Sequence, residues 1–141
     1  MTIGEIDSRI SDGFWSLCKK EGTKISNIVR ETVTAYLGWV ERVLSAKSPG
    51  SVTIQGISAR RYFLDVLRKT NEHKEFFYMI QQVNNLLREG ALARNWCFLD
   101  VHGTTADANG VFNQAWHLDE YHLKPSFYSE EPSKCIIRPP A

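Results

Sequence analysis

The sequence predicts an α/β domain built on parallel strands, and three observations predict it. Two long stretches, Thr23 to Leu44 and about Asn71 to Glu89, repeat apolar residues at three- and four-residue steps, the period of a helix with one buried face. Three shorter stretches, at the N-terminus, at Ser51–Ile57 and at Trp96–Val101, carry the β-branched and apolar runs of strands. The five alternate as strand, helix, strand, helix, strand, and such alternation joins parallel strands through helical crossovers.

Met1 to Asp7 is read as the end of a strand, because two or three apolar residues precede the turn residue Gly4 where a buried parallel strand runs about five or six. Residues 8–22 hold no sustained periodicity and contain Gly13 and Gly22, which predicts a long loop with Phe14, Trp15 and Leu17 as a docking patch. In the first helix Ile25, Ile28, Val29, Val33, Tyr36, Leu37, Val40, Val43 and Leu44 share a face, Thr23 or Ser26 supplies a cap, and Ser48-Pro49-Gly50 ends it. Gly38 weakens that helix by about 1 kcal/mol relative to Ala and points to close packing there. Ala59 to Lys69 stays open between a short helix and an ordered loop. The second helix turns Phe76, Phe77, Ile80, Val83 and Leu87 inward, with Gly90 expected just past its end. The strand at Trp96–Val101 leads into a loop rich in Gly, Thr, Asp and Asn up to Gly110. Residues 130–141, with three prolines after Glu131, are expected to form an irregular tail behind a domain of residues 1–129.

With 141 residues, 43% hydrophobic and 23% charged, the chain has the composition of one globular domain. A net charge of +1 without a basic block gives no electrostatic basis for binding nucleic acid or an anionic membrane. No apolar run approaches the roughly 18–20 residues that span a bilayer, and the N-terminus lacks the layout of a signal peptide, so a cytoplasmic location is expected. Cys18, Cys97 and Cys135 are an odd number, far apart and without a C-x-x-C pair, which suits thiols in a reducing compartment.

In open parallel sheets, ligands bind beyond the carboxyl ends of the strands. Gly4–Arg9 follow the first expected strand and Asp100–His122 the last, so two polar clusters more than 90 residues apart in sequence are expected on one edge. The denser is Trp116-His117-Leu118-Asp119-Glu120-Tyr121-His122-Leu123-Lys124-Pro125. Asp119, three residues before His122 in a turn, can accept from one imidazole nitrogen and leave the other facing the cleft, the orienting half of a nucleophile–base–acid triad. The same stretch also reads as a metal site: His117-x-Asp119 has the spacing of the first two ligands of a 2-His-1-carboxylate iron centre, with His102 or His122 completing it. A surface loop with satisfied polar groups is the ordinary alternative to both. Trp116, Tyr121, Phe127 and Tyr128 are expected to pack around the loop.

Asp107-x-x-Gly110, followed by His117-Leu118-Asp119-x-x-His122-Leu123-x-Pro125-x-Phe127-Tyr128, resembles the last block of the SGNH/GDSL hydrolases. Gly4-Glu5-Ile6-Asp7-Ser8-Arg9 resembles a variant of that family's third block, and the two stand in the family's order and span nearly the whole chain. The resemblance implies a three-layer α/β/α, flavodoxin-like parallel sheet, incomplete here and represented by its C-terminal three strands. It implies hydrolysis of an ester, an acyl or acetyl group on a small molecule or a carbohydrate. Asp119 and His122 are then the catalytic pair, Gly4, Glu5, Asp7 and Arg9 surround the oxyanion region, and no cofactor or metal is required.

The departures are specific. The block that carries the nucleophilic serine has no counterpart, and Ile6 stands where the pattern has an asparagine that donates to the oxyanion. An isoleucine side chain donates nothing, and losing such a donor typically lowers the rate about a hundred- to a thousandfold. Ser8 and Ser11 are the serines near the same edge, and neither sits on a strand-to-helix nucleophile turn; Ser8 is the weak candidate nucleophile, and its ordinary reading is a loop serine bonding its own backbone. Little activity is expected from the chain alone. Two alternatives stand beside the esterase reading: a non-catalytic remnant or partner-binding module of the same fold, and a metal-dependent enzyme using His117, Asp119 and His122. An incomplete sheet also predicts self-association through its exposed edge.

Overall fold

Residues 13–22, 24–46, 51–59, 73–107, 112–118, 122–130 and 132–140 are described by the computed structural model. The expected first strand, the turn Gly4–Arg9 with Ser8, most of Ala59–Lys69, Gly110, Asp119 and Tyr121 lie outside the described residues. The elements run α1 (Phe14–Glu21), α2 (Ile25–Ser45), β1 (Thr53–Gln55), α3 (His73–Leu92), β2 (Cys97–Leu99), α4 (Val101–Thr105), α5 (Pro125–Glu130), α6 (Pro132–Cys135) and β3 (Ile136–Ile137). The fold is mixed α/β, with a small three-stranded sheet. Among the described residues no helix is long and apolar enough to cross a membrane.

A helix, α1, stands where the sequence predicts a loop. Two turns are too few to persist on propensity alone, and tertiary burial supplies the difference. Trp15 is buried and meets Phe76 of α3 edge-on, with ring centroids 5.9 Å apart at 78°. Gly22 ends the helix at φ 62°, a left-handed conformation that glycine adopts without steric penalty. Leu17, expected in the docking patch, is exposed.

The two long helices form where the periodicity places them. Ile28, Val29, Val33 and Leu37 of α2 are buried against Phe76, Met79, Ile80, Val83, Leu87 and Ala91 of α3. Val43 and Phe77 fall at the margins of these stripes, exposed and half-buried respectively. Ser26 lies inside the first turn and does not cap α2; Lys24 holds the cap position without a side-chain hydrogen bond. The glycine roles are also exchanged. A methyl group at Gly38 would meet only the Arg42 guanidinium at 3.6 Å, an ordinary contact, whereas one at Gly90 would overlap Leu37 Cδ1. Gly90 therefore marks the close approach of two helices and not a helix end. The helix continues to Leu92 and closes in a Schellman turn: Trp96 N–H donates to Ala91 O at 2.9 Å, Asn95 N–H to Leu92 O at 3.0 Å, and Asn95 takes φ 59°.

β1 and β2 pair in parallel, Thr53 with Cys97, Ile54 with Phe98 and Gln55 with Leu99, as the alternation predicts. The third described strand corrects the expectation of a purely parallel set and of an irregular tail. β3 runs antiparallel to β2, pairing Ile137 with Phe98 and Ile136 with Leu99, and Asp100 N–H donates to Cys135 O at 3.0 Å. Two apolar residues are too short a run to show a period of two, so only pairing reveals this strand. Successive side chains of a strand point to opposite faces, and β2 is buried on both. Phe98 joins the core under α3, while Leu99 joins a second core of Val101, Phe127 and Cys135, flanked by Trp116, Leu123 and Ile136.

Candidate functional site

The site grows from the carboxyl ends of β1 and β2. β2 is shorter than expected because Asp100 breaks it, its carboxylate accepting from Gly103 N–H at 2.9 Å and capping α4, which takes Val101 as its first residue. After β1, Gly56 N–H donates to Leu99 O at 3.0 Å. Ile57 then leaves the sheet and is held by one side chain of α3: its N–H donates to Asn84 Oδ1 at 2.7 Å, and Asn84 Nδ2 donates to its carbonyl at 3.2 Å. Two residues on, Ala59 N–H donates to Thr105 Oγ1 at 3.1 Å, whose own hydroxyl donates to Val101 O at 2.7 Å.

Onto this platform the loop of the dense polar stretch is fastened by His117. Its ring is 5% exposed, with Nδ1 2.8 Å from Asn113 O and Nε2 3.1 Å from Ala59 O, beside the Phe112 ring at 4.2 Å between centroids. Both ring nitrogens thus face backbone carbonyls, and the tautomer sets which of them donates. His117 and Leu123 face one another across an antiparallel bridge, with Leu118 N–H donating to His122 O at 2.8 Å and Lys124 N–H to Trp116 O at 2.9 Å. Residues 119–121, between these two described stems, lie outside the described residues. Trp116 meets Phe127 edge-on at 5.7 Å, and Lys124 Nζ donates to Ala115 O at 2.8 Å.

Of the expected catalytic pair, His122 is exposed beside the His117–Leu123 bridge, while Asp119 lies outside the described residues. So do Gly4, Glu5, Asp7, Arg9 and Ser8. His117 turns both ring nitrogens to backbone carbonyls and presents neither to a metal. Among the described residues no three His, Cys, Asp or Glu side chains gather as a metal set. Phe127 is buried as expected, whereas Tyr128 is exposed, its hydroxyl 3.4 Å from Gln55 Nε2.

A second feature of this edge escapes sequence reading. Gln81, Asn84, Asn85 and Arg88 form one polar face of α3, and across a groove of about 260 Å³ stand Asp100, His102 and Gly103, with Phe98 also lining it. Burial pushes the His102 imidazole below the usual histidine range, opposed by the nearby Asp100 carboxylate. The 81, 84, 85, 88 spacing is visible in the chain as a polar stripe; its meeting with Asp100 and His102 is not.

No family model, curated protein or solved structure matches the chain.

Proposed function

We propose that the chain is the C-terminal portion of an SGNH/GDSL-type ester hydrolase domain of three-layer α/β/α architecture, acting on a small-molecule or carbohydrate ester. Asp119 orients His122, and His122 moves protons for a serine that comes from outside these residues. The serine Oγ bonds to the ester carbonyl carbon as His122 takes its proton. The C–O bond then breaks, and His122 returns the proton to the departing alcohol. Water repeats the sequence on the acyl-serine and releases the acid.

The observation that carries this reading is the His117–Ala59 tie, which seats the loop of His122 at the carboxyl end of parallel β1 and leaves the His122 ring exposed, the edge where such sheets hold their chemistry. The burial of β2 on both faces agrees with a layered domain. Three cysteines far apart in sequence without a C-x-x-C pair fit the expected reducing, cytoplasmic compartment. Among the described residues β1 is an edge strand, in keeping with association through the sheet edge.

The test is hydrolysis of p-nitrophenyl acetate by the chain joined to the sequence encoded upstream of Met1. Activity is expected there and lost in His122→Ala; activity that His122→Ala leaves unchanged refutes the assignment. Ile6, in place of the oxyanion asparagine, favours a second reading in which the same fold serves as a non-catalytic, partner-binding module. Inactivity of the extended protein toward a panel of esters, with the fold intact, selects that reading.

A further inference from the structure

We propose that the groove between α3 and α4 binds a small zwitterion of the α-amino acid class, with its carboxylate on Arg88 and its ammonium on Asp100. The proposal is independent of ester hydrolysis.

Arg88 and Asp100 line the same groove and do not pair. Among the described residues Arg88 forms no ion pair, and the Asp100 carboxylate has one partner, Gly103 N–H on Oδ1, which leaves Oδ2 for a ligand. Opposite charges that share a cleft without meeting are held by water until something spans them. A molecule with a carboxylate at one end and an ammonium at the other replaces that water with two charge-assisted hydrogen bonds, the guanidinium matching the carboxylate in bidentate fashion.

The rest of the lining selects against other classes. His102 adds no charge near neutral pH, because burial favours its neutral form. Arg88 and Asp100 then cancel, so a phosphate dianion would face Asp100 and a metal dication would face Arg88. Gln81 and Asn85 offer donors and acceptors at the exposed rim. A volume of about 260 Å³, near the low end for ligand pockets, suits a molecule of amino-acid size.

Three matched probes test this on the full chain: L-alanine, propionate, which lacks the ammonium, and ethylamine, which lacks the carboxylate. Side-chain resonances of Gln81, Asn85 and Arg88 are followed by NMR. L-alanine is expected to shift them saturably, and each single-charge probe to bind roughly tenfold more weakly, the effect of losing one charge-assisted hydrogen bond. Arg88→Gln and Asp100→Asn should each weaken L-alanine binding by a similar factor. Asparagine is as good a cap as aspartate, so the second variant keeps α4. Equal binding of the three probes, no saturable shift with L-alanine, or variants that bind it as the parent does would overturn the proposal.

Discussion

Replacing Asn84 by alanine tests how the carboxyl edge is held. The Asn84 amide pairs with both backbone groups of Ile57 as a neighbouring strand would, at 2.7 and 3.2 Å, and all of these groups are buried. A hydrogen bond of this kind contributes about 1 kcal/mol net, while a buried donor or acceptor left without a partner costs about 1–3 kcal/mol. Two groups are stranded by the truncation, which brackets the loss at about 2–6 kcal/mol. Asn84 borders the polar groove, so water can reach part of the space and the lower half of that range is expected. Urea unfolding followed by circular dichroism reads the change as a fall in midpoint without a change in slope. Asn84→Asp separates the two bonds: the carboxylate can still accept from Ile57 N–H, but its second oxygen meets the Ile57 carbonyl. That variant should be less stable than the parent and recover as acid protonates the new carboxyl. A loss below about 0.5 kcal/mol in Asn84→Ala, within the ordinary range of surface substitutions, would refute the view that this side chain anchors the strand end.

Three further outcomes follow from the packing. Gly90→Ala gains about 1 kcal/mol of helix propensity but drives a methyl group into Leu37 Cδ1, and an overpacking cost of about 1–3 kcal/mol leaves a net loss of up to about 2 kcal/mol; a variant more stable than the parent would show that Leu37 moves aside freely. His117→Leu takes the imidazole away from the buried Ala59 carbonyl, while Asn113 O keeps the Trp116 N–H as a donor; a loss of about 1–3 kcal/mol is expected together with faster amide exchange at Ala59, and unchanged exchange there would deny the tie. For His102 the folded state disfavours the proton relative to the ordinary value of 6.5, so its contribution is fully present above that pH and declines as pH falls through the lower folded value. His102→Gln should flatten that part of the acid limb, and an unaltered pH profile would exclude His102 as its source.

Long periodic segments were legible in the chain because a stripe repeated over many residues outweighs local irregularity, and so α2 and α3 stand where Val29, Val33, Ile80, Val83 and Leu87 place them. The parallel β1–β2 pair was legible from the alternation around α3. The candidate site was legible as residue types only. His117 is a conspicuous histidine in sequence, yet its role depends on two backbone carbonyls, and a carbonyl carries no sequence signature. The groove of Arg88, Asp100 and His102 joins two elements that only packing brings face to face.

By itself the sequence determined the two amphipathic helices, the parallel pairing they imply and the concentration of ionisable groups after the last long strand, since each of these is written in local spacing. Tertiary structure alone decided that α1 exists, that Gly90 lies between helices, that the tail returns as β3, and that His117 is a buried tie. In each case the deciding term is contact with a partner distant in sequence: Phe76 for Trp15, Leu37 for Gly90, Phe98 and Leu99 for Ile137 and Ile136, and Ala59 for His117. Such contacts reward burial and hydrogen bonding only after the chain has closed on itself, so no window along the sequence holds both halves of them.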